Sequence, residues 1–379
     1  MKSGWFKRFY EDTEEMLLQK GKVFVVLGPR RVGKTKLIEK LISQYKGKVY
    51  SGTGDNLDLR EVLSTQRLQK IKSVMGPYDL IFIDEAQRIP DIGYSVKLLV
   101  DSFPEKIIIL TGSSSFDLSG QLGEPLTGRQ KQKKLFPLSV IELEKQFGGM
   151  FLIENMEELL IFGSYPEVLK QDSIIDKKEY LLSIRDSYLL KDIFELEEIK
   201  FRNKLFDLLR LLAFQIGHEV SMNELANKLG IAKQSVERYL SLLEKVFVVK
   251  RLGGFSRNLR NEVTKSSRFY FFDNGVRNAI INNFNPIHSR DDVGMLWENF
   301  MVMERLKKQE YQRLFSNNYF WRTYDQNEID FVEEREGRLF AFEFKYGAHK
   351  AKEPKQWRKA YPDSEFKVVT SHNFLEFLI

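Results

Sequence analysis

The chain has 379 residues, no cysteine, and 59 basic against 53 acidic side chains, for a net charge of +6. This length predicts two or three domains, each with its own core, and the absence of thiols excludes disulfides and thiolate zinc sites. The opening MKSGWFKRFYEDTEE is charged, and no apolar run approaches the ~18 residues of a membrane span, so a cytoplasmic protein is expected. The small basic excess permits a nucleic-acid partner without arguing for one.

Val23–Leu27 is wholly apolar, the pattern of a parallel strand buried on both faces, and residues 36–45 have the spacing of an amphipathic helix. Between them lies GPRRVGKT: Gly28, Pro29, Arg30, Arg31, Val32, Gly33, Lys34 and Thr35. This is a P-loop in its required strand-to-helix context. The two glycines let backbone N–H groups turn onto the phosphates of ATP, at the positive end of the helix. Lys34 is placed for the β and γ phosphates, and Thr35 for Mg²⁺. LIFIDE, at residues 80–85, supplies Asp84 to hold that ion from the neighbouring strand and Glu85 to orient or deprotonate the attacking water.

A short strand at 48–51, a helix at 59–75, strands at 79–83 and 107–110, and a fifth strand at 134–136 complete an alternating pattern. It predicts an α/β fold with right-handed crossovers and a parallel three-layer sheet, with the ligand at the carboxyl ends of the strands. Thr111 and Ser113 follow the fourth strand there. Ser113, slightly ahead of Thr111, suits a γ-phosphate sensor, and a turn closing the strand fits equally well. Arg129, in LTGRQKQKK, is either a finger reaching a neighbouring subunit of a homo-oligomer or part of a solvated basic loop. Arg30 and Arg31 contact phosphate or clamp another domain; the pattern does not choose.

Residues 141–212 are helical in pattern, a lid or linker broken at GSYP. NELANKLG and AKQSVERYLSLLEK then read as a helix-turn-helix, extended to a winged helix by strands at 246–252 and 268–272. Lys233, Gln234, Ser235 and Arg238 fall at the start of the recognition helix, and Arg257, Arg260 and Lys265 in the wing, where DNA contacts are made. Winged helices also dock proteins, so a protein partner is the competing reading. Near the end, strands at 319–322, 328–332 and Arg338–Lys345 place Glu343 and Lys345 on one face, with Asp330 beside them. Glu298, on a helix at 293–307, adds a third carboxylate. Together they form a candidate Mg²⁺ site for phosphodiester cleavage, against the alternative of a cross-strand ion pair.

The chain as a whole resembles a prokaryotic family of AAA-type, STAND-related P-loop ATPases. Their C-terminal half is a winged helix plus a PD-(D/E)XK nuclease-like domain of unknown function. The resemblance rests on GPRRVGKT, IDEAQRIPD, LTGSSS, LTGR to FPLS, GSYPEVL, YLLKDI, RFYFFDNGVRNAI, LWENF, and NEIDF with FEFKYG. It implies Walker B roles for Asp84 and Glu85, suggests Arg129 as the LTGR arginine, and maps nuclease-like positions onto Glu298, Asp330, Glu343 and Lys345. Gln356 and Tyr361 stand at a looser spacing than the glutamine and tyrosine that related nucleases carry.

The expected architecture is an ATPase domain at 1–139, a helical lid or linker at 140–205, a winged helix at 206–285 and a nuclease-like domain at 286–379. Three functions compete: an Mg²⁺-dependent ATPase controlling a DNA-facing module, an ATP-gated switch acting through protein partners, and an ATP-regulated nuclease.

Overall fold

The structure, a computed structural model, describes residues 4–13, 18–113, 126–188, 202–256, 267–323, 325–348 and 351–379. Its first sheet is parallel and five-stranded, in the order β2-β3-β4-β1-β5. The strands are β1 (Val23–Leu27), β2 (Val49–Thr53), β3 (Leu80–Asp84), β4 (Ile107–Gly112) and β5 (Gln130–Lys134). All residues of β1 and β4 are buried, as apolar central strands require.

Three details differ from the sequence expectation. The strand bearing Asp84 does not neighbour the P-loop strand, because β4 pairs with both and lies between them. The fifth strand is Gln130–Lys134, not 134–136. It is an edge strand, held to β1 by its backbone from Val23↔Gln130 to Leu27↔Lys134, and lysines on an edge oppose unwanted strand addition. Leu135 and Phe136 are instead buried in the loop that follows. The helix expected at 59–75 is two, Leu57–Ser64 and Leu68–Met75, separated by Gln66 in the left-handed region at φ 52°.

Short helices, among them Val140–Phe147, Met156–Phe162, Pro166–Lys170 and Ile174–Ser183, follow the first sheet. Helices Met222–Leu229 and Lys233–Lys245 then form the helix-turn-helix, with Gly230 at φ 64° in the turn. Beyond them β7 (Val249–Gly254) pairs antiparallel with β8 (Ser267–Phe271), which also carries β6 (Glu219–Val220). Arg257, Arg260 and Lys265, which fall between β7 and β8 in the sequence, lie outside the described residues.

The remaining strands are β9 (Asn317–Arg322), β10 (Glu328–Arg335), β11 (Arg338–Lys345) and β12 (Glu365–Thr370). They extend the same sheet, in the order β12-β11-β10-β9-β7-β8-β6. The join is parallel, through Gly253↔Tyr319 and Gly254↔Phe320, so one seven-stranded sheet crosses the boundary drawn at residue 285. Helix Val293–Gln312 packs against β11 and β8. Neither β12 nor the last helix, Phe374–Leu378, was expected from the sequence. Among the described residues no helix is long and apolar enough to cross a membrane.

The segments GSYP and FDNG interlock. Asp273 caps helix Asn274–Ile280 by accepting from Val276 N–H at 3.1 Å, and its other oxygen accepts from Ser164 N–H at 2.8 Å. The approach demands glycine on both sides. A Cβ on Gly163 would lie 2.0 Å from the Asp273 carboxylate, and one on Gly275 2.0 Å from the Phe162 carbonyl oxygen. Asn278 fastens the same seam by donating to the Ile161 carbonyl at 2.8 Å. Asp273→Ala orphans two buried N–H groups and is expected to cost about 2–4 kcal/mol. Urea denaturation measures this; a loss below about 0.5 kcal/mol, the usual size of a surface change, would contradict the pin.

Candidate nucleotide site and carboxylate cluster

The P-loop leaves β1 at Gly28, whose φ of 155° and missing side chain are both required: a Cβ would lie 2.0 Å from the Leu135 carbonyl oxygen. Helix Lys34–Ile42 starts from Gly33 at φ 96°. Lys34 is buried, and its ammonium donates to the carbonyls of Gly28 at 2.9 Å and Pro29 at 2.8 Å. These bonds hold the cation at the mouth of the loop, where phosphate oxygens would exchange for carbonyls. Thr35 donates to Asp84 Oδ2 at 2.8 Å, and Thr111 donates to Oδ1 of the same carboxylate. A hydroxyl and a carboxylate in contact are the oxygen donors that Mg²⁺ takes, so the residues present fit that ion.

Glu85 adopts the left-handed region at φ 48°, and its N–H donates to Thr111 Oγ at 3.3 Å. Gln87, unassigned by the sequence reading, ties the rest together. Its amide donates to Glu85 at 2.6 Å and to Ser113 at 3.1 Å, and its buried oxygen has no partner among the described residues. That leaves an acceptor which a water can satisfy, beside the carboxylate expected to activate one. Thr111 therefore touches Asp84 directly, whereas Ser113 reaches Glu85 through Gln87.

The P-loop residues from Arg31 to Lys36 and Glu85 line a cavity of about 710 Å³, closed opposite by Trp5 and by Lys170 and Tyr180 of the helical segment. Arg31, at φ 63°, stacks 5.6 Å from the Tyr180 ring. Pro29, Arg30 and Arg31 also line a smaller cavity with Phe247, Phe272 and Asp273. Both arginines thus face other parts of the chain. A second residue missed by the sequence reading is Arg8, buried beneath the loop, which donates to the carbonyls of Val32 and Phe136 and to Glu142. Arg129 is not at this site in its own chain. It precedes β5 at the opposite end of the sheet and is ion-paired with Asp101.

Lys233, Gln234 and Arg238 are exposed on helix Lys233–Lys245, with Ser235 half-buried; Lys233 lies 3.6 Å from Glu237.

The C-terminal carboxylates do converge, but around an arginine. Arg268 on β8 is buried, with Glu328 at 2.8 Å, Glu298 at 3.3 Å and Asp330 at 3.8 Å, over the Phe320 ring. Tyr270 donates to Glu298 at 2.7 Å, the Phe344 N–H donates to Asp330 at 2.8 Å, and Lys345 pairs with Glu343 at 2.7 Å. Glu343 Oε2 is buried without a hydrogen bond among the described residues. Burial pushes Asp330 well above the usual carboxylate range, and the nearby Glu298 and Glu343 add to it; Glu298 is raised by burial against the opposing pull of Arg268. Among the described residues no group of three acidic or histidine side chains is disposed to hold a metal ion, and Glu298, Asp330 and Glu343, expected as Mg²⁺ ligands, have Arg268 and Lys345 as their cationic partners. A guanidinium supplied by the neighbouring hairpin fills the role of cation, which a reading confined to the C-terminal third has no means of including. Gln356 donates to Asp325, and Tyr361 packs on Trp357 and Phe255, so neither joins the cluster.

A parallel sheet with a P-loop at the carboxyl ends of its strands, a buried lysine and a hydroxyl-carboxylate pair defines a P-loop nucleotide-binding domain. Residues 20–144 match the family model of the AAA domain, and the chain carries an AAA-type ATPase domain there. Residues 153–286 and 293–377 match two domains of unknown function, DUF8612 and DUF4143. The chain is 29% identical over 335 residues to an uncharacterized protein of Mycobacterium tuberculosis, covering 86% of this chain and 71% of that one. It is 25% identical over 374 residues to an uncharacterized protein of Methanocaldococcus jannaschii, covering 92% and 81%. Among solved structures it is similar in part to the replication initiator DnaA bound to AMPPCP and single-stranded DNA (16% identity, TM-score 0.33, 64% of this chain and 90% of that one). It is also similar in part to a signal transduction ATPase with numerous domains from Pyrococcus horikoshii (14% identity, TM-score 0.28, 81% and 46%).

Glu85→Gln is expected to lower ATP turnover by about 10²-fold or more with nucleotide affinity retained, the usual effect of losing a general base. Gln87→Ala is expected to act in the same direction. Steady-state turnover beside fluorescent-nucleotide titration separates the two quantities; weakened binding with unchanged turnover would overturn both roles.

Proposed function

We propose that the protein is an Mg²⁺-dependent ATPase whose nucleotide state controls a DNA-facing helix-turn-helix. The observation that carries the reading is the chain of contacts Thr35–Asp84–Thr111 beside Glu85–Gln87–Ser113, at the mouth of a loop holding a buried lysine. In this reading the P-loop amides and Lys34 bind the phosphates. Thr35 and Asp84 would hold Mg²⁺, which when bound would supply positive charge against the transferring phosphoryl group. Glu85 accepts the proton of the attacking water, with Gln87 and Ser113 fixing its direction. Arg31 against Tyr180 carries closure of the pocket into the helical segment. Arg129, at the far end of the sheet, would act only on a neighbouring copy.

For DNA, exposed Lys233, Gln234 and Arg238 are positioned to enter a groove or meet phosphates. ATP hydrolysis with duplex DNA at two salt concentrations tests this, with Lys34→Ala as the inactive control. Stimulation should weaken with salt, and the Lys233→Ala, Arg238→Ala pair should reduce the salt slope by about one per lost phosphate contact. Turnover indifferent to DNA would remove the DNA reading and leave the protein-switch reading.

Arg268 favours a C-terminal unit that docks rather than cuts. The full chain is expected to take Mn²⁺ only together with nucleotide. A nucleotide-independent Mn²⁺ site, detected by electron paramagnetic resonance and lost in Asp330→Asn, would restore the nuclease reading.

A further inference from the structure

The β10–β11 register pairs Phe331 with Phe342 and Glu333 with Phe340, so Glu333 and Arg335 share the sheet face of Phe340 and Phe342. On that face, between helix Val293–Gln312 and strands β11 and β12, lies a cavity of about 500 Å³, bordered by Arg305, Lys308, Arg335, Phe340, Phe342 and Lys367. Its charges do not balance. Glu333 is fully buried and is engaged by Arg305, with Nη2 to Oε2 at 2.9 Å, while Arg305 Nη1 donates to the Phe377 carbonyl at 2.8 Å. Arg305 is thereby neutralised, with each of its three nitrogens engaged.

Lys308 and Arg335 are not. Lys308 is 8% exposed, and its ammonium makes one long hydrogen bond, to the Phe377 carbonyl at 3.4 Å. Arg335 lies 4.0 Å from the Phe340 ring centroid, with Nε 3.3 Å from the already engaged Glu333. Its Nε is buried and makes no hydrogen bond among the described residues. At the rim Glu365 is held by Arg338, while Lys367 and Glu376 oppose one another in charge. Two positive charges remain, one an ammonium at depth and one a guanidinium fork flat against an aromatic wall.

We propose that this cavity binds a phosphate monoester, held by Lys308 and Arg335. A phosphate monoester carries about −1.5 to −2 charges at neutral pH and three acceptor oxygens, matching both the excess charge and the free donors. A carboxylate would leave one cation uncompensated. The phosphate could be a free small molecule or the terminal phosphate of a nucleic acid; the recognising chemistry is the same. Burial, helped by Arg305 and Arg335, lowers Lys308 to about 8. The unfolded chain therefore binds more protons than the folded one above that pH, and the unliganded protein gains stability as pH rises from 8 toward 10.5. A bound dianion favours the charged lysine, so phosphate should stabilise the fold more at pH 7 than at pH 9.5.

The test is calorimetric titration of the full chain carrying Lys34→Ala, which silences the P-loop so that the outcome is independent of the ATPase reading. The ligands are inorganic phosphate and an oligonucleotide with either a 5′-phosphate or a 5′-hydroxyl. Binding of phosphate or the 5′-phosphorylated strand, weakened about tenfold or more by Arg335→Gln and separately by Lys308→Met, supports the site. The tighter of the two ligands identifies the source. No binding to the folded protein, binding unchanged in both variants, or equal affinity for the 5′-hydroxyl strand would overturn it.

Discussion

The buried carboxylate of Asp273 sits where the helical segment, the end of the β7–β8 hairpin and the C-terminal half meet. It is 6% exposed and survives there because backbone N–H groups from both sides point at it. A continuous polar seam extends from it. Lys307 reaches the Ser164 hydroxyl at 3.4 Å and the Leu138 carbonyl at 3.3 Å, and Glu304, one turn earlier, accepts from the Val140 N–H at 2.7 Å. A buried ionic seam is weak evidence of net stability, because each charge must first be desolvated. Its geometric consequence is stronger: removing any partner leaves a charge or an N–H unmet, so the helical segment and long helix Val293–Gln312 have one favourable register.

That register gives the nucleotide pocket its second wall. Tyr180 stands over Arg31 because helix Ile174–Ser183 packs on helix Asn274–Ile280, which Asp273 caps. The P-loop is also braced from below by Arg8, which ties the Val32 carbonyl to Glu142, and from behind by the contact of Gly28 with the Leu135 carbonyl. A change at the phosphates therefore meets stiff supports below and behind. Its softest outlet is the cation-π contact toward the helical segment, worth ~0.5–1 kcal/mol at an exposed site, against several hydrogen bonds elsewhere. This asymmetry directs the response of the loop toward the middle of the chain.

The parts of this arrangement legible in the sequence were those written locally. The strand-loop-helix around Lys34, the strand ending at Asp84, the helix pair that meets at Gly230 and Arg338–Lys345 each carry their pattern within a short window. What escaped depended on pairing partners distant in the chain. QKQKK at β5 has no strand pattern of its own and is a strand only because β1 offers an edge. Gln87 is anonymous until β4 places Ser113 beside it. The carboxylate cluster could be assembled from Glu298, Asp330 and Glu343, but its cation comes from β8, across the join of β7 to β9.

The two charge clusters of the C-terminal sheet follow one rule with opposite outcomes. A buried charge must be neutralised, and the fold either supplies the counter-charge or leaves the task to something else. In one, four carboxylates and two cations, Arg268 and Lys345, lie together, and the raised carboxyls lower the remaining negative charge further by favouring protonation. A divalent cation entering there would have to displace a guanidinium already engaged by Glu328 and Glu298 over an aromatic ring, which sets a high threshold for metal binding. In the other, Glu333 neutralises only one of three buried or half-buried cations. The charge balance that makes the first cluster self-sufficient is absent from the second, and it is at the second that an anion gains most by arriving.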